Sequence, residues 1–429
     1  MRRGISVAAL ATVVALTATA CGGSDSEDKA AKEPGEVSGT VTWWDTSDNT
    51  SEAPAFKKLI ADFEKKYPKV KVKYVNVPFA QAQQKFKTAA QSGKGAPDVL
   101  RSDVGWTPGF AKLGYLAALD GTPALDDKDK FLDGPAASGG YEGKTYGVPQ
   151  VTDTLGLLYN KELLEKAGVK EAPATWTEVK DAAKKIEKKT GADGIYLNPD
   201  SYFALPFVYG EGGDMVDVEG KKITIANDAA VKGVSTAVDL IKSGAAPKPD
   251  TTDGYNNMQT SFKDGKVAMI VNGPWATADI FSGKSFKNKE NLGIAPVPAG
   301  STGEAGAPVG GHNLVAYAGS GNLDASYLFI KHMTSAKAQE QVSAEIGVLP
   351  TREDAYTDKV LSDPVRKAFY DALGKAHPRP AIAEGGDLFT DFLPHYVKIL
   401  QGTETPEEGL TATADAWKKQ LLKDYTVEK

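Results

Sequence analysis

The sequence predicts an α/β protein built as more than one lobe, and three observations carry that prediction. The chain has 429 residues, more than one hydrophobic core ordinarily fills, so two or more lobes are expected. From residue 37 onward strand-like and helix-like segments alternate, the βα pattern that builds a sheet with helices on both faces. Residues 37–429 contain no internal repeat and no linker-like stretch. The lobes must therefore be joined by short crossings, with candidates near 150–154, 309–313 and 349–352.

Taken in order, Gly39-Thr40-Val41-Thr42-Trp43-Trp44 reads as the first strand. Pro54 opens a helix in which Phe56, Leu59, Ile60, Phe63 and Tyr67 share one face, the spacing of an amphipathic helix. Val70, Val72 and Tyr74 then alternate with Lys71 and Lys73, as in a half-buried strand. The next helix turns Phe79, Ala82, Phe86 and Ala89 inward, and Pro97-Asp98-Val99-Leu100 starts another strand. Leu155 to Tyr159 is a strand and 161–167 a short helix. A stronger helix over 175–190 has Trp176, Val179, Ala183 and Ile186 on one face, and another over 228–242 runs through Val231, Val234, Val238 and Ile241. Val267 to Val271 is a continuous apolar strand, and Asp324 to Met333 and Ala336 to Ile346 are helical.

The first residues follow a different rule. Arg2 and Arg3 precede an apolar run from about Ile5 to Leu16, then small residues up to Cys21. A charged tip, a short apolar stretch and a small-residue end are the parts of a signal peptide, and the run is short for a bilayer span. Residues 1–20 are thus expected to be a signal peptide. Cys21 is the chain's one cysteine, so no disulfide can form within the chain. Ala18-Thr19-Ala20-Cys21 resembles a bacterial lipoprotein box, with Ala18 where leucine is usual, which implies a lipid attached to Cys21. Residues 22–36 are small and charged and read as a tether. The expectation is an exported protein, lipid-anchored on the outer face of the cell membrane.

Composition narrows the function classes. Charged residues make up 25% of the chain and the net charge is −6, with no basic stripe of the kind a nucleic-acid partner requires. His312, His332, His377 and His395 lack metal-ligand spacing, and neither a metal nor a cofactor is expected. The sequence has no G-x-S-x-G, H-E-x-x-H, G-x-G-x-x-G or C-x-x-C. Gly139 to Thr145 approaches a phosphate loop, but Ser138 stands where its first glycine belongs, so a tight turn before a strand is the reading there. No catalytic residue is assigned.

Carboxylates near aromatics are frequent: Asp45, Asp48, Asp103, Asp153 and Asp200. A glycosidase needs two such groups, and a sugar-binding site needs them too, because a carboxylate accepts strongly from hydroxyls. Trp106 and Trp275 lie beside Gly105 and after Gly273-Pro274, at loop or helix-start positions where a ring can stack on a pyranose. Trp176 and Trp417 fit helix faces instead. His312 follows Gly310-Gly311, where core packing or backbone capping is the plainer role.

At these residues the chain resembles the extracellular solute-binding proteins of carbohydrate importers, within them the maltose- and maltodextrin-binding group. The strongest match is Phe262-x-x-Gly265-Lys266-x-Ala268-Met269-x-x-Asn272-Gly273-Pro274-Trp275. Ala96-Pro97-Asp98-Val99, Leu158-Tyr159-Asn160-Lys161, Pro173-x-Thr175-Trp176, Asn227-x-Ala229-x-x-Lys232 and Leu349-Pro350-Thr351-Arg352 follow the family's order, over nearly all of 38–425. The resemblance implies a two-lobed periplasmic-binding-protein-like fold with a hinge and a ligand cleft. It implies a first lobe of 37–152 with 313–350 and a second of 153–312 with 351–429. Carried over by position, the ligand-binding set is Asp48, Asp103, Trp106, Asp153, Asp200, Tyr202, Trp275, Gly311, His312, Arg379 and Phe389. Ser102, Gly105 and Trp106 depart from the tryptophan, aspartate and arginine of the maltose-binding pattern, and Asp153 and Asp200 are shorter than its glutamates. The implied partners are a malto-oligosaccharide and the transmembrane permease subunits of an ABC importer, with the binding protein a monomer. Trehalose, cello- and xylo-oligosaccharides and pseudo-sugars are the alternative ligands, and a secreted glycoside hydrolase is the alternative class.

Overall fold

A computed structural model describes residues 33–429. The expected signal peptide and Cys21 lie outside the described residues. Two sheets organise the chain. The first has the order β2-β1-β3-β13-β6, formed by β1 (Gly39–Asp45), β2 (Val70–Asn76), β3 (Val99–Asp103), β6 (Gly147–Thr154) and β13 (Val309–Ala316). β1 lies parallel to β2 and β3, while β13 runs antiparallel to β3 and β6. The second sheet has the order β12-β7-β11-β8, from β7 (Gly156–Asn160), β8 (Asp193–Tyr196), β11 (Val267–Asn272) and β12 (Leu292–Pro296). Smaller ladders join β9 (Val216–Asp217), β10 (Lys222–Ile223) and β14 (Thr426–Val427). β4 (Gly140–Tyr141) and β5 (Lys144–Thr145) form a hairpin whose turn holds Glu142 and Gly143. This is the tight turn read from the sequence in place of a phosphate loop.

Each sheet is the middle layer of one lobe. In the first, Val41, Trp43 and Leu314 face one apolar cluster and Trp44, Leu100 and Val315 face the other. In the second, Leu157 and Met269 face one side, and Leu158 and Ile270 the other. The chain changes sheet at Leu155, between β6 and β7, and again between Pro296 and Val309. The expected lobe limits at 152/153 and 312/313 fall inside β6 and β13. A third passage follows the bridge of Thr152 to Leu349 and leads to helices Pro364–Leu373, Gly385–Gln401 and Pro406–Gln420. The last two contribute Leu388, Phe392, Leu410 and Trp417 to the second lobe's core.

Periodicity placed most helix faces. Helix α1 (Ala53–Lys66) buries Phe56, Leu59 and Phe63, each contributing about 1.5–3 kcal/mol on full burial. Helix Trp176–Thr190 is capped by the Thr175 side chain and buries Trp176, Val179, Ala183 and Ile186. Helix Asp228–Lys242 differs: it buries Ala230, Gly233, Val234, Ala237 and Leu240, leaving Val231, Val238 and Ile241 half-buried. The reason is close backbone approach, since a Cβ on Gly233 would stand 2.3 Å from the Phe207 carbonyl oxygen. Small residues therefore set the inward face. Helix α2 (Phe79–Ser92) buries Ala82, Phe86 and Ala90, but Phe79 is 46% exposed, against the expectation that it turns inward. It is the first residue after Pro78, where the chain has not yet committed its side chains to the helix's core face.

Candidate functional site

Between the lobes, near the two strand crossings, charged and aromatic side chains from the first sheet meet others from a turn, a helix and a connecting segment beyond it. β3 brings Arg101 and Asp103 to its carboxyl end. Arg101 is buried; its Nε donates to Gln150 at 3.0 Å and its guanidinium lies over the Phe56 ring at 5.3 Å. Asp103 accepts from the Gly105 N–H at 2.7 Å and from Arg379 Nη2 at 3.1 and 3.2 Å, one bond to each oxygen. Arg379 reaches in from a segment 276 residues later in sequence. Its Nε donates to the Val309 carbonyl at 3.0 Å. Its guanidinium covers Tyr202 at 5.5 Å and Phe389 at 5.7 Å. An ion pair, a strand end and two second-lobe aromatics are thereby tied together.

Asp153, on β6, is buried. Burial pushes its carboxyl up to about 7, with Arg379 pulling down and Asp103 pushing up. It lies over Gly310 of β13: a Cβ at that glycine would stand 2.1 Å from Asp153 Oδ1 and 2.8 Å from Tyr202 Oη. Gly311 has φ +140°, and a Cβ there would meet the Val151 carbonyl oxygen at 2.4 Å, so that position demands glycine, whereas a side chain at Gly310 would have to displace the Asp153 carboxylate. The Tyr202 hydroxyl and both ring nitrogens of His312 are buried and find no hydrogen-bond partner among the described residues. Burial, then the nearby Arg101 and Arg379, holds the His312 imidazole well below its usual pKa, so the ring is neutral. A neutral imidazole offers one donor and one acceptor.

The remaining candidates divide between this cluster and a second end of the junction. Asp200 accepts from the Tyr202 N–H at 2.9 Å, capping the turn Ser201–Ala204. It keeps solvent access, yet the surrounding protein pushes its carboxyl upward. Phe389, half-buried on helix Gly385–Gln401, sits 6.1 Å from the Tyr202 ring. Trp106 is buried and lies between Phe79 and Phe110. Trp275 is half-buried, touches three of the four apolar clusters and donates from Nε1 to the Tyr255 hydroxyl at 3.0 Å. Asp48 is exposed in the loop after β1; its Oδ1 accepts from Thr50, Ser51 and the Ser51 hydroxyl. Burial raises its carboxyl, and the Ser51 and Thr50 bonds outweigh that, so the net shift is downward.

Contacts thus link Asp103, Arg379, Tyr202 and Phe389 directly, while Asp153 stands with Tyr202 over Gly310, His312 is the β13 ladder partner of Asp103, and Gly311 precedes it in that strand. Trp106 joins through Phe79. Trp275 and Asp48 belong to a second end, where Tyr255 and Lys263 of the second lobe feel the charges of Glu52 and Asp48. Glu52, Arg101, Tyr255 and Gly310 also lie at this junction and are absent from the ligand-binding set carried over by position. Arg101 carried a signal, being a lone charge inside the run Val99-Leu100-Arg101-Ser102. Glu52 carried none, since an acid beside a helix start is ordinary. In the structure it is buried with Oε1 unpartnered. Its Oε2 accepts from the Asp48 N–H at 2.9 Å, and burial pushes its carboxyl up to about 7 against the pull of Arg101. Among the described residues no group of three or more His, Cys, Asp or Glu side chains is placed to hold a metal ion.

The arrangement suits a polyhydroxylated ligand: it brings acceptors, donors and aromatic faces together. A family model described as bacterial extracellular solute-binding protein matches residues 47–340. The GacH receptor of Streptomyces glaucescens, solved unliganded and in complex with acarbose and an acarbose homolog, is 53% identical. The superposition covers 91% of this chain and 100% of that one, with TM-score 0.88. The diacetylchitobiose binding protein of Streptomyces coelicolor is 29% identical over 98% of this chain and 99% of its own length. A maltooligosaccharide ABC transporter solute-binding lipoprotein of Streptococcus pneumoniae is 27% identical over 89% of this chain and 88% of its own.

Proposed function

The chain belongs to the family of bacterial extracellular solute-binding proteins, and from that premise we propose that it captures an oligosaccharide outside the cell for an ABC importer. A malto-oligosaccharide is the first ligand of this reading. Acarbose is the second, favoured by the 53% identity to a receptor solved with it. The observation that carries the reading is the set of buried, unpartnered polar atoms, Tyr202 Oη and both His312 nitrogens, beside the Asp103–Arg379 pair at the lobe junction. Leaving such a group unpaired costs about 1–3 kcal/mol. Sugar hydroxyls, which both donate and accept, would recover that cost on binding. Several hydrogen bonds of about 0.5–1.5 kcal/mol each, with stacked rings, reach the roughly −8 kcal/mol of a micromolar complex without covalent chemistry.

The same reading anchors the protein through a lipid on Cys21 and presents its two lobes to permease subunits. A thermal-shift panel of maltose, maltotriose, acarbose, trehalose, cellobiose and diacetylchitobiose tests the ligand, since a ligand bound only by the folded state raises the melting temperature. Stabilisation by malto-oligosaccharides or acarbose is expected. Stabilisation by trehalose or cellobiose alone would overturn the sugar while leaving the family intact. Incubation with maltotriose should leave its length unchanged; shortened products would mean a hydrolase. Replacing Cys21 with alanine should move the protein from the membrane fraction to the soluble one, and an unchanged distribution would remove the anchor.

A further inference from the structure

Phe79 is 46% exposed, and its surroundings distinguish it from an ordinary surface apolar residue. Its ring stacks on Trp106, centroids 4.9 Å apart and planes 27° apart. Among the described residues no other exposed large apolar side chain is stacked face to face on a tryptophan. Trp106 is held behind it by Phe110 at 6.3 Å and by Gly386, whose Cβ position would lie 2.6 Å from Trp106 Cδ1. One face of the Phe79 ring is therefore covered by Trp106, and nearly half of the residue stays exposed. The edge-type contact with His312, at 5.8 Å and 75°, sets an imidazole with two unpartnered buried nitrogens next to the Phe79 ring.

An apolar partner would cover Phe79 but leave His312 unpaired. A fully polar one would satisfy His312 and waste the ring. A pyranose does both: its C–H face lies on an aromatic plane and its rim hydroxyls donate and accept. A ring already immobilised by stacking loses little conformational freedom when a ligand settles on it. We propose that Phe79 is the aromatic platform of a first-lobe sugar subsite, taking the C–H face of one pyranose unit while His312 bonds that unit's hydroxyls. The proposal rests on the oligosaccharide reading above, and assigns to Phe79 the stacking role that sequence resemblance gave to Trp106, which becomes its support.

The test titrates wild type, Phe79→Ala and Phe79→Tyr with maltose, maltotriose, maltotetraose and acarbose, and records the unliganded melting temperature of each. Since Phe79 is half open to solvent, Phe79→Ala should leave the unliganded melting temperature close to wild type. It should weaken at least one oligosaccharide by about 5- to 100-fold, the range that aromatic stacking on a flat ligand face corresponds to. Phe79→Tyr, which keeps the ring, should bind within about threefold of wild type. Wild-type affinity of Phe79→Ala for every sugar would overturn the subsite. So would an equal loss in Phe79→Tyr, which would show that the flat ring is not what binds. If wild type itself binds none of the four, the malto-oligosaccharide and acarbose reading falls, and the subsite falls with it.

Discussion

At the residue scale, the groups with the largest consequences are those buried without partners. Tyr202 Oη is the cleanest case, because it touches no hydrogen-bonding atom of the described chain. Removing it should stabilise the unliganded protein by about 1 kcal/mol, the penalty of an unpaired hydroxyl being lifted, while costing a ligand hydrogen bond of about 0.5–1.5 kcal/mol. Tyr202→Phe is thus expected to melt higher and bind sugar more weakly, and parallel thermal melts and titrations would show whether the two effects have opposite signs. Gly310→Ala is expected to fail in both, since its Cβ would occupy the space of Asp153 Oδ1; overpacking of this kind costs about 1–3 kcal/mol. Glu52 gives a pH signature. Folded, it holds its proton up to about pH 7, whereas its ordinary value is 4.5. The folded state therefore binds more protons between those values, so this contribution is full in acid and is lost as pH rises through about 7. The difference in melting temperature between wild type and Glu52→Gln should shift against wild type as pH rises from about 5 to 8. A constant difference would mean that the carboxyl does not titrate there.

At the element scale, what was legible in the sequence was what repeats locally. The apolar faces of α1 and of helix Trp176–Thr190 followed from spacing, because a helix buries a stripe. Two faces did not follow. Helix Asp228–Lys242 turned its glycine and alanines inward for close contact with Phe207, and hydrophobicity alone ranks those residues behind the valines that stayed half-buried. Phe79 obeyed the helical period but sits at the first turn, where the period does not bind. The Asp103–Arg379 pair spans 276 residues, and no local pattern reports such a distance; only resemblance placed both in one cleft. The same limit applies to Trp275. A loop position suggested a free stacking face, while the structure adds contacts to three clusters and a bond to Tyr255. Trp275→Phe keeps a ring and loses that bond, so a loss of about 0.5–1.5 kcal/mol in unliganded stability is expected. A melt identical to wild type would show that the bond contributes nothing.

At the scale of the whole molecule, the lobes touch through a graded set of charges. Asp103–Arg379 is buried, whereas Lys87–Asp387 at 2.5 Å and Lys112–Glu384 at 2.5 Å lie at the more exposed margin between α2, helix α3 (Thr107–Lys112) and the start of helix Gly385–Gln401. Exposed pairs are worth about 0–1 kcal/mol and are screened by salt, so they adjust the contact between the lobes and do not decide it. Raising ionic strength from about 0.05 to 1 M should lower sugar affinity by a few-fold at most, and Lys87→Met combined with Lys112→Met should abolish that dependence. An unchanged salt dependence in the double variant would place its origin elsewhere. We propose that the buried acceptors, donors and aromatic faces at the lobe junction receive a malto-oligosaccharide or acarbose. Isothermal titration of maltotriose and of acarbose into the wild-type protein at neutral pH tests it most directly. The account predicts one-to-one binding of at least one of them with a dissociation constant of about 1 μM or tighter, near −8 kcal/mol; no binding of either at millimolar sugar would contradict it.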